Sequence, residues 1–160
     1  MKYKMKILLD QLVDFEGLVL KVYQDHLGID TIGIGRNLID RGISDKELEL
    51  MGKTIEEVYA EGITKEDAYM LAANDIKIVE AELCYHQPCI EDLGESRQRV
   101  LIDMAFNMGV PRLLKFKKMW SAIHKGSYNT ASKEMLDSKW ALQVKKRAIK
   151  LSSCMQSGDW

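Results

Sequence analysis

Glu16, Asp25 and Thr31 stand in a stretch dense in glycine and β-branched residues, Glu16-Gly17-Leu18-Val19-Leu20-Lys21-Val22-Tyr23-Gln24-Asp25-His26-Leu27-Gly28-Ile29-Asp30-Thr31-Ile32-Gly33-Ile34-Gly35. Two carboxyl groups in different surroundings can divide acid–base work. One donates a proton to a leaving oxygen while the other, ionised, steadies positive charge or directs a nucleophile. A glycosidic bond is what such a pair is suited to cleave. Taken singly, a glutamate at a helix end, an aspartate in a turn and a threonine in a strand are commonplace. Their joint spacing carries the weight.

A helix must hold the first group and a hairpin the other two. Met5, Leu8, Leu9, Leu12 and Phe15 recur at steps of three and four, which predicts an amphipathic helix over residues 5–15 stopping near Gly17. From Leu18 to Gly35 the pattern changes to short strands and tight turns, so the hairpin folds back on the helix end. Residues 37–62 read as irregular, with one short helix over 44–51. Thr64 is then a natural N-cap for a long helix whose Ala68, Leu71, Ala72, Ile76, Val79 and Leu83 keep helical spacing to Cys84, before Gln87-Pro88 breaks it. Further helices are expected over 96–108, 115–124, 129–138 and 139–155. The fold class is therefore α+β and mostly helical, with a small N-terminal sheet, and a ligand cleft is expected between two lobes.

Composition narrows the function classes. The 160 residues are 46% apolar and 29% charged, as in an ordinary globular domain. Three cysteines, Cys84, Cys89 and Cys154, are too few and odd in number for a disulfide framework. The basic start, Met1 to Lys6, precedes an apolar run of only Ile7-Leu8-Leu9, so neither a signal peptide nor a membrane anchor is expected. Charge is segregated: residues 112–150 hold eleven Lys or Arg against two acids, whereas residues 1–110 hold twelve basic and twenty-one acidic side chains. Such a basic segment is either a set of solvated helix faces or an attractor for an anionic polymer. No nucleic-acid-binding motif accompanies it.

The order of glutamate, aspartate and threonine within E-G-L-x-L-K-x-Y-x-D-x-x-G-x-x-T-I-G-I-G resembles the signature of the phage-type lysozymes, the muramidase endolysins. Gly62-Ile63-Thr64-Lys65-Glu66-Asp67-Ala68, Asp103-Met104-Ala105-Phe106-Asn107-Met108-Gly109, and Ser138-Lys139-Trp140 with Gln143, Arg147 and Ala148 continue the resemblance from about Leu8 onward. It implies one lysozyme-like two-lobed domain over 1–160: a sheet lobe over about 17–62, a connecting helix over about 64–84, and a helical lobe over about 85–160 with helix 5–16 packed on it.

The activity implied is hydrolysis of the β-1,4 bond between N-acetylmuramic acid and N-acetylglucosamine in bacterial peptidoglycan, without a cofactor. Glu16 falls at the general acid, and Asp25 and Thr31 at the positions that hold the attacking water, which implies inversion. Phe106, Asn107, Gln143 and Arg147 fall at substrate-contact or supporting positions. Arg147 matches a cation beside the catalytic glutamate, a tension because a nearby cation favours the charged carboxylate whereas a general acid needs its proton. The family's histidine after the second glycine of the motif is here Arg36, and its acidic partner is Asp75, so an Arg36–Asp75 pair joining the lobes is expected. The implied setting is a monomeric endolysin held in the host cytoplasm until a holin-like permeabiliser gives it access to the wall, with no nucleic-acid partner and no stable membrane insertion.

Two other readings compete. A lytic transglycosylase needs the glutamate but no water-holding Asp25 and Thr31, and a non-catalytic wall-binding module needs none of the three. Cys84-Tyr85-His86-Gln87-Pro88-Cys89 gathers two thiols and an imidazole without a fourth ligand of matching spacing, so no metal site is expected there. Trp120 and Trp140 read as core residues, and Phe106 stands between core and sugar platform.

Overall fold

Leu8, Leu9 and Leu12 form the buried stripe of α1, Met5–Glu16, as their spacing predicts. Gly17 ends the helix in left-handed backbone with its N–H on the Val13 carbonyl at 2.8 Å. The computed structural model describes all 160 residues, Met1–Trp160, and they divide into two compact units, Met5–Asp75 and Ile76–Trp160 with Met1–Lys4.

In the first unit α1 leads into an antiparallel sheet of β1 (Val19–Gln24), β2 (Asp30–Gly33) and β3 (Arg36–Asn37), in that order. Tyr23 lies opposite Thr31, Gln24 opposite Asp30, and Ile32 opposite Arg36. Beneath the sheet Ile32, Leu38, Val58, Ile63, Ala68 and Leu71 form one apolar cluster. Gly33 lets β2 approach the long helix, because a Cβ there would already touch that of Ala68 at 3.4 Å. Helix α1 groups with the sheet in this unit, whereas the sequence reading set it against the later helices. One tie is the Tyr69 hydroxyl, which donates to Asp10 at 3.1 Å.

Helix α2, Asp45–Met51, starts where expected, on a capping box between Ser44 and Glu47. Residues 55–61, expected to be irregular, form α3, Ile55–Glu61. The signal was Thr54 three residues before Glu57, a second capping box that charge-rich composition obscured. Gly62 then brings the chain onto β1: the Ile63 N–H donates to the Leu20 carbonyl at 2.8 Å, and a Cβ on Gly62 would sit 2.2 Å from that oxygen. Helix α4, Lys65–His86, begins on Thr64, whose hydroxyl accepts from the Asp67 N–H at 3.1 Å while Asp67 accepts from the Thr64 N–H at 2.9 Å.

The second unit is helical and centres on α5, Glu95–Met108, in which every residue from Gln98 to Ala105 is buried. A 3₁₀ turn over Pro88–Asp92 precedes it, and Gln98 fastens that turn by donating to the Ile90 carbonyl at 3.0 Å. Around it lie α6 (Val110–Leu113), α7 (Lys117–His124), α8 (Tyr128–Leu136), α9 (Lys139–Val144) and α10 (Lys146–Ser157). The single helix expected over 139–155 is broken at Lys145, whose φ of 49° is the left-handed region, with no glycine or proline to announce it. Trp120 and Trp140 are both buried, as expected. No helix is long and apolar enough to cross a membrane.

Candidate active site

Glu16 is the last residue of α1, and the left-handed turn at Gly17 directs the chain at once into β1. Gly35, also left-handed, presents bare backbone toward the glutamate, so that an added Cβ would lie 4.0 Å from Glu16 Oε2. Thr31 is 5% exposed in β2, and its hydroxyl donates to the Ile29 carbonyl at 2.9 Å. The proton of that hydroxyl is thus committed, and its lone pairs remain for an incoming donor.

Asp25 caps the β1–β2 connection. Its Oδ1 accepts from the N–H groups of Leu27 at 2.8 Å and Ile29 at 3.0 Å, while its own backbone closes the turn through Gly28 at 2.9 Å and Ile29 at 3.0 Å. The Ile29 N–H foremost, with that of Leu27 and the charge of His26, holds the carboxyl below the ordinary aspartate value against a smaller opposing effect of burial. One oxygen is spent on the turn. Oδ2 has no protein hydrogen bond.

Tyr23 joins these groups. It is the cross-strand partner of Thr31, and its phenol is raised above the usual value by burial first and then by the negative charges of both Glu16 and Asp25. The two carboxylates therefore act on one shared neighbour. Tyr23 has no role in the sequence expectation, because its place beside Thr31 is set by the register of β1 on β2.

Behind the hairpin, Arg36 is 3% exposed and fully bonded. Its Nε donates to Asp75 at 2.7 Å, one Nη to the Gly42 carbonyl at 3.0 Å and Glu47 at 3.2 Å, and the other to Glu47 at 3.0 Å and the Leu71 carbonyl at 2.8 Å. The expected Arg36–Asp75 pair is present, but both residues belong to the unit Met5–Asp75, so it does not join the two units as expected. Arg41 also reaches Asp75 at 3.0 Å, and Glu47, with no part in the sequence expectation, closes the network.

The four other candidates lie in the helical unit. Phe106 is half-buried. Asn107 accepts from the Trp140 indole at 2.9 Å and so orients a core residue. Gln143 accepts from Arg112 at 2.8 Å on the surface. Arg147 is buried, with its Nε on the fully buried Asp103 at 2.8 Å.

The phage lysozyme family profile matches residues 13–152, which includes every residue of this site. The chain belongs to the phage lysozyme family. Among curated relatives of this phage lysozyme sequence, the pre-baseplate central spike protein of Enterobacteria phage T4 is 33% identical over 152 residues, 90% of this chain. Two probable T4-type lysozymes of Dictyostelium discoideum are 28% and 26% identical over 93% of the chain. The chain spans 26% of the length of the spike protein and 93% of each Dictyostelium protein. In family terms, the segment from Glu16 to Gly35 is the part whose spacing announced the resemblance, and it is also where two carboxylates, a buried threonine hydroxyl and a tyrosine converge.

Proposed function

We propose that this phage lysozyme is a muramidase that hydrolyses the β-1,4 bond between N-acetylmuramic acid and N-acetylglucosamine in bacterial peptidoglycan. The observation that carries it is the cross-strand pairing of Thr31 with Tyr23, whose phenol feels Glu16 and Asp25 together. In this reading Glu16 protonates the glycosidic oxygen as the bond breaks. A water donates one hydrogen to the free lone pairs of Thr31 Oγ1 and the other to Asp25 Oδ2, which leaves its own lone pair directed at the anomeric carbon. Because Asp25 is held ionised by the turn N–H groups, it is poised as base while Glu16 serves as acid. Attack from the face opposite the leaving group inverts the anomeric centre.

Arg147, Phe106, Asn107 and Gln143 belong to the same reading as supporting or glycan-contact residues. The biological role proposed is that of a monomeric endolysin, accumulated in the host cytoplasm and given access to the wall by a holin-like permeabiliser, so that the host lyses. A second role has one observation in its favour, the 33% identity to a central spike protein: the same chemistry used from within a virion during penetration. Proteomics of purified particles separates the two, since an endolysin is absent from them.

The chemical reading is tested by clearance of purified peptidoglycan with wild type and Glu16→Gln, with product ends identified by mass spectrometry. A fall of roughly 10²–10⁴-fold in the variant, with reducing ends from the wild type, is expected. Equal clearance overturns it; 1,6-anhydro ends identify a transglycosylase instead.

A further inference from the structure

The helical unit carries a basic face that meets the proposed glycan-contact residues at one end only, where Arg112 donates to Gln143 and Trp140 to Asn107. Three cavities of about 620, 520 and 420 Å³ adjoin along α7, and Lys117 lines all of them. Lys118 is shared by the first two and Lys125 by the last two. Arg112, Lys115 and Lys139 extend the row along the first cavity, with Glu134 and Asp137 as the only acids on its lining. None of these six cations is ion-paired, and the lysines are exposed. Six unneutralised cations, spread over α6, its junction with α7, α7 itself and the start of α9, leave a field that must be met by counter-ions or a ligand.

We infer that this face binds a linear envelope polymer bearing a phosphate in each repeat, and that it holds the enzyme on the wall while hydrolysis proceeds. The inference rests on the wall-hydrolase reading above only for the location of the polymer. Geometry selects the class. From Lys117 to Lys125 is about 12 Å along a helix, which spans successive charges of a phosphodiester chain, whereas a single carboxylate would meet only one cation. The cations are mostly lysines, point charges on flexible stems that follow an irregular chain, rather than the rigid forks that read one fixed anion. The three open depressions adjoin through Lys117, Lys118 and Lys125, a track that suits a strand lying along it. Trp120 and Trp140, which line the outer cavities, are 3% and 1% exposed and so offer no stacking platform for nucleobases.

The test uses the full chain with Glu16→Gln, so that hydrolysis does not erode the target, and labelled poly(glycerol phosphate) as probe. Anisotropy titration should show binding that weakens steeply between about 50 and 200 mM salt. Adding Lys117→Glu, Lys118→Glu and Lys125→Glu should weaken it by about tenfold or more. The Gln triple, which removes charge without reversing it, should fall between, and in a Glu16 background both triples should retain hydrolysis of a soluble uncharged glycan oligomer. A control triple of equal charge change, Lys4→Glu, Lys46→Glu and Lys65→Glu, should bind as tightly as the parent. Four results overturn the inference: no binding at low salt, equal loss in the control triple, tighter binding to anionic phospholipid vesicles than to the polymer, or undiminished binding to walls chemically stripped of phosphate. The last would assign the face to peptide-stem carboxylates. Because binding is read without turnover, its failure is distinct from failure of the hydrolase reading.

Discussion

Arg36 donates its Nε to Asp75 across 2.7 Å, from a guanidinium 2% exposed to a carboxylate 18% exposed. The pair lies one residue beyond Gly35, whose backbone faces Glu16, so the hairpin that carries the site is anchored from behind. A double-mutant cycle with Arg36→Gln and Asp75→Asn should show coupling of about 1 kcal/mol or more in chemical denaturation. Arg36→Gln alone should cost about 3 kcal/mol or more, because Glu47 is then left buried without its cation. Additive single effects would mean that the contact contributes nothing beyond its separate parts.

The same network sets a pH dependence, with the sign fixed by Glu47 rather than Asp75. Burial alone would push Glu47 up, but Arg36, the Asn74 amide and the Ser44 N–H together hold it at about 2, below its ordinary 4.5. A depressed carboxyl stabilises the fold above its unfolded value and loses that contribution as pH falls through the folded one. Stability should therefore drop by roughly 2 kcal/mol as pH falls from about 4.5 to about 2. Asp75 has the opposite sign: burial lifts it despite Arg36 and Arg41, so its contribution decreases as pH rises from 3.8 through the raised value. In Glu47→Gln the acid-side drop should be largely gone when denaturation midpoints are compared across that range.

Asp25 combines two tasks that different substitutions separate. Asparagine keeps an Oδ1 that can accept from Leu27 and Ile29 and loses the charge, whereas alanine loses both. Asp25→Asn should retain the wild-type Tm while kcat falls sharply; Asp25→Ala should lower both. If Asp25→Asn clears peptidoglycan at the wild-type rate, the carboxylate has no part in directing water.

Lys145 holds a positive φ at the junction of α9 and α10, in a conformation that costs a side-chain-bearing residue of order 1 kcal/mol or more. Lys145→Gly should raise stability by about 1 kcal/mol by thermal or chemical denaturation. A loss instead would show that the stem of Lys145 contributes packing that outweighs the strain.

The legible parts of the fold were those with a local cause. The stripe of Leu8, Leu9 and Leu12, the stop at Gly17 and the capping pair of Thr64 and Asp67 each act within a few residues, and each lies where the sequence indicates. The break at Lys145 was not legible, because no residue type there favours it; the fold holds a strained lysine between two helices, one of them tied through Arg147 to the buried Asp103. At the site, the spacing of Glu16, Asp25 and Thr31 was readable as a pattern. Tyr23 as their common neighbour depends on strand register, and Glu47 beneath Arg36 depends on how a short helix packs. Neither follows from composition or periodicity.

The close approach at Gly62 bears on how the molecule keeps to itself. Strand β1 is an outer strand of the sheet, with Val19 and Leu20 each 37% exposed, and such an edge invites pairing with another chain. The Ile63 N–H occupies the Leu20 carbonyl, and only a residue without a side chain at 62 lets it do so. One glycine thus withholds from neighbouring molecules a hydrogen-bond acceptor that could seed aggregation.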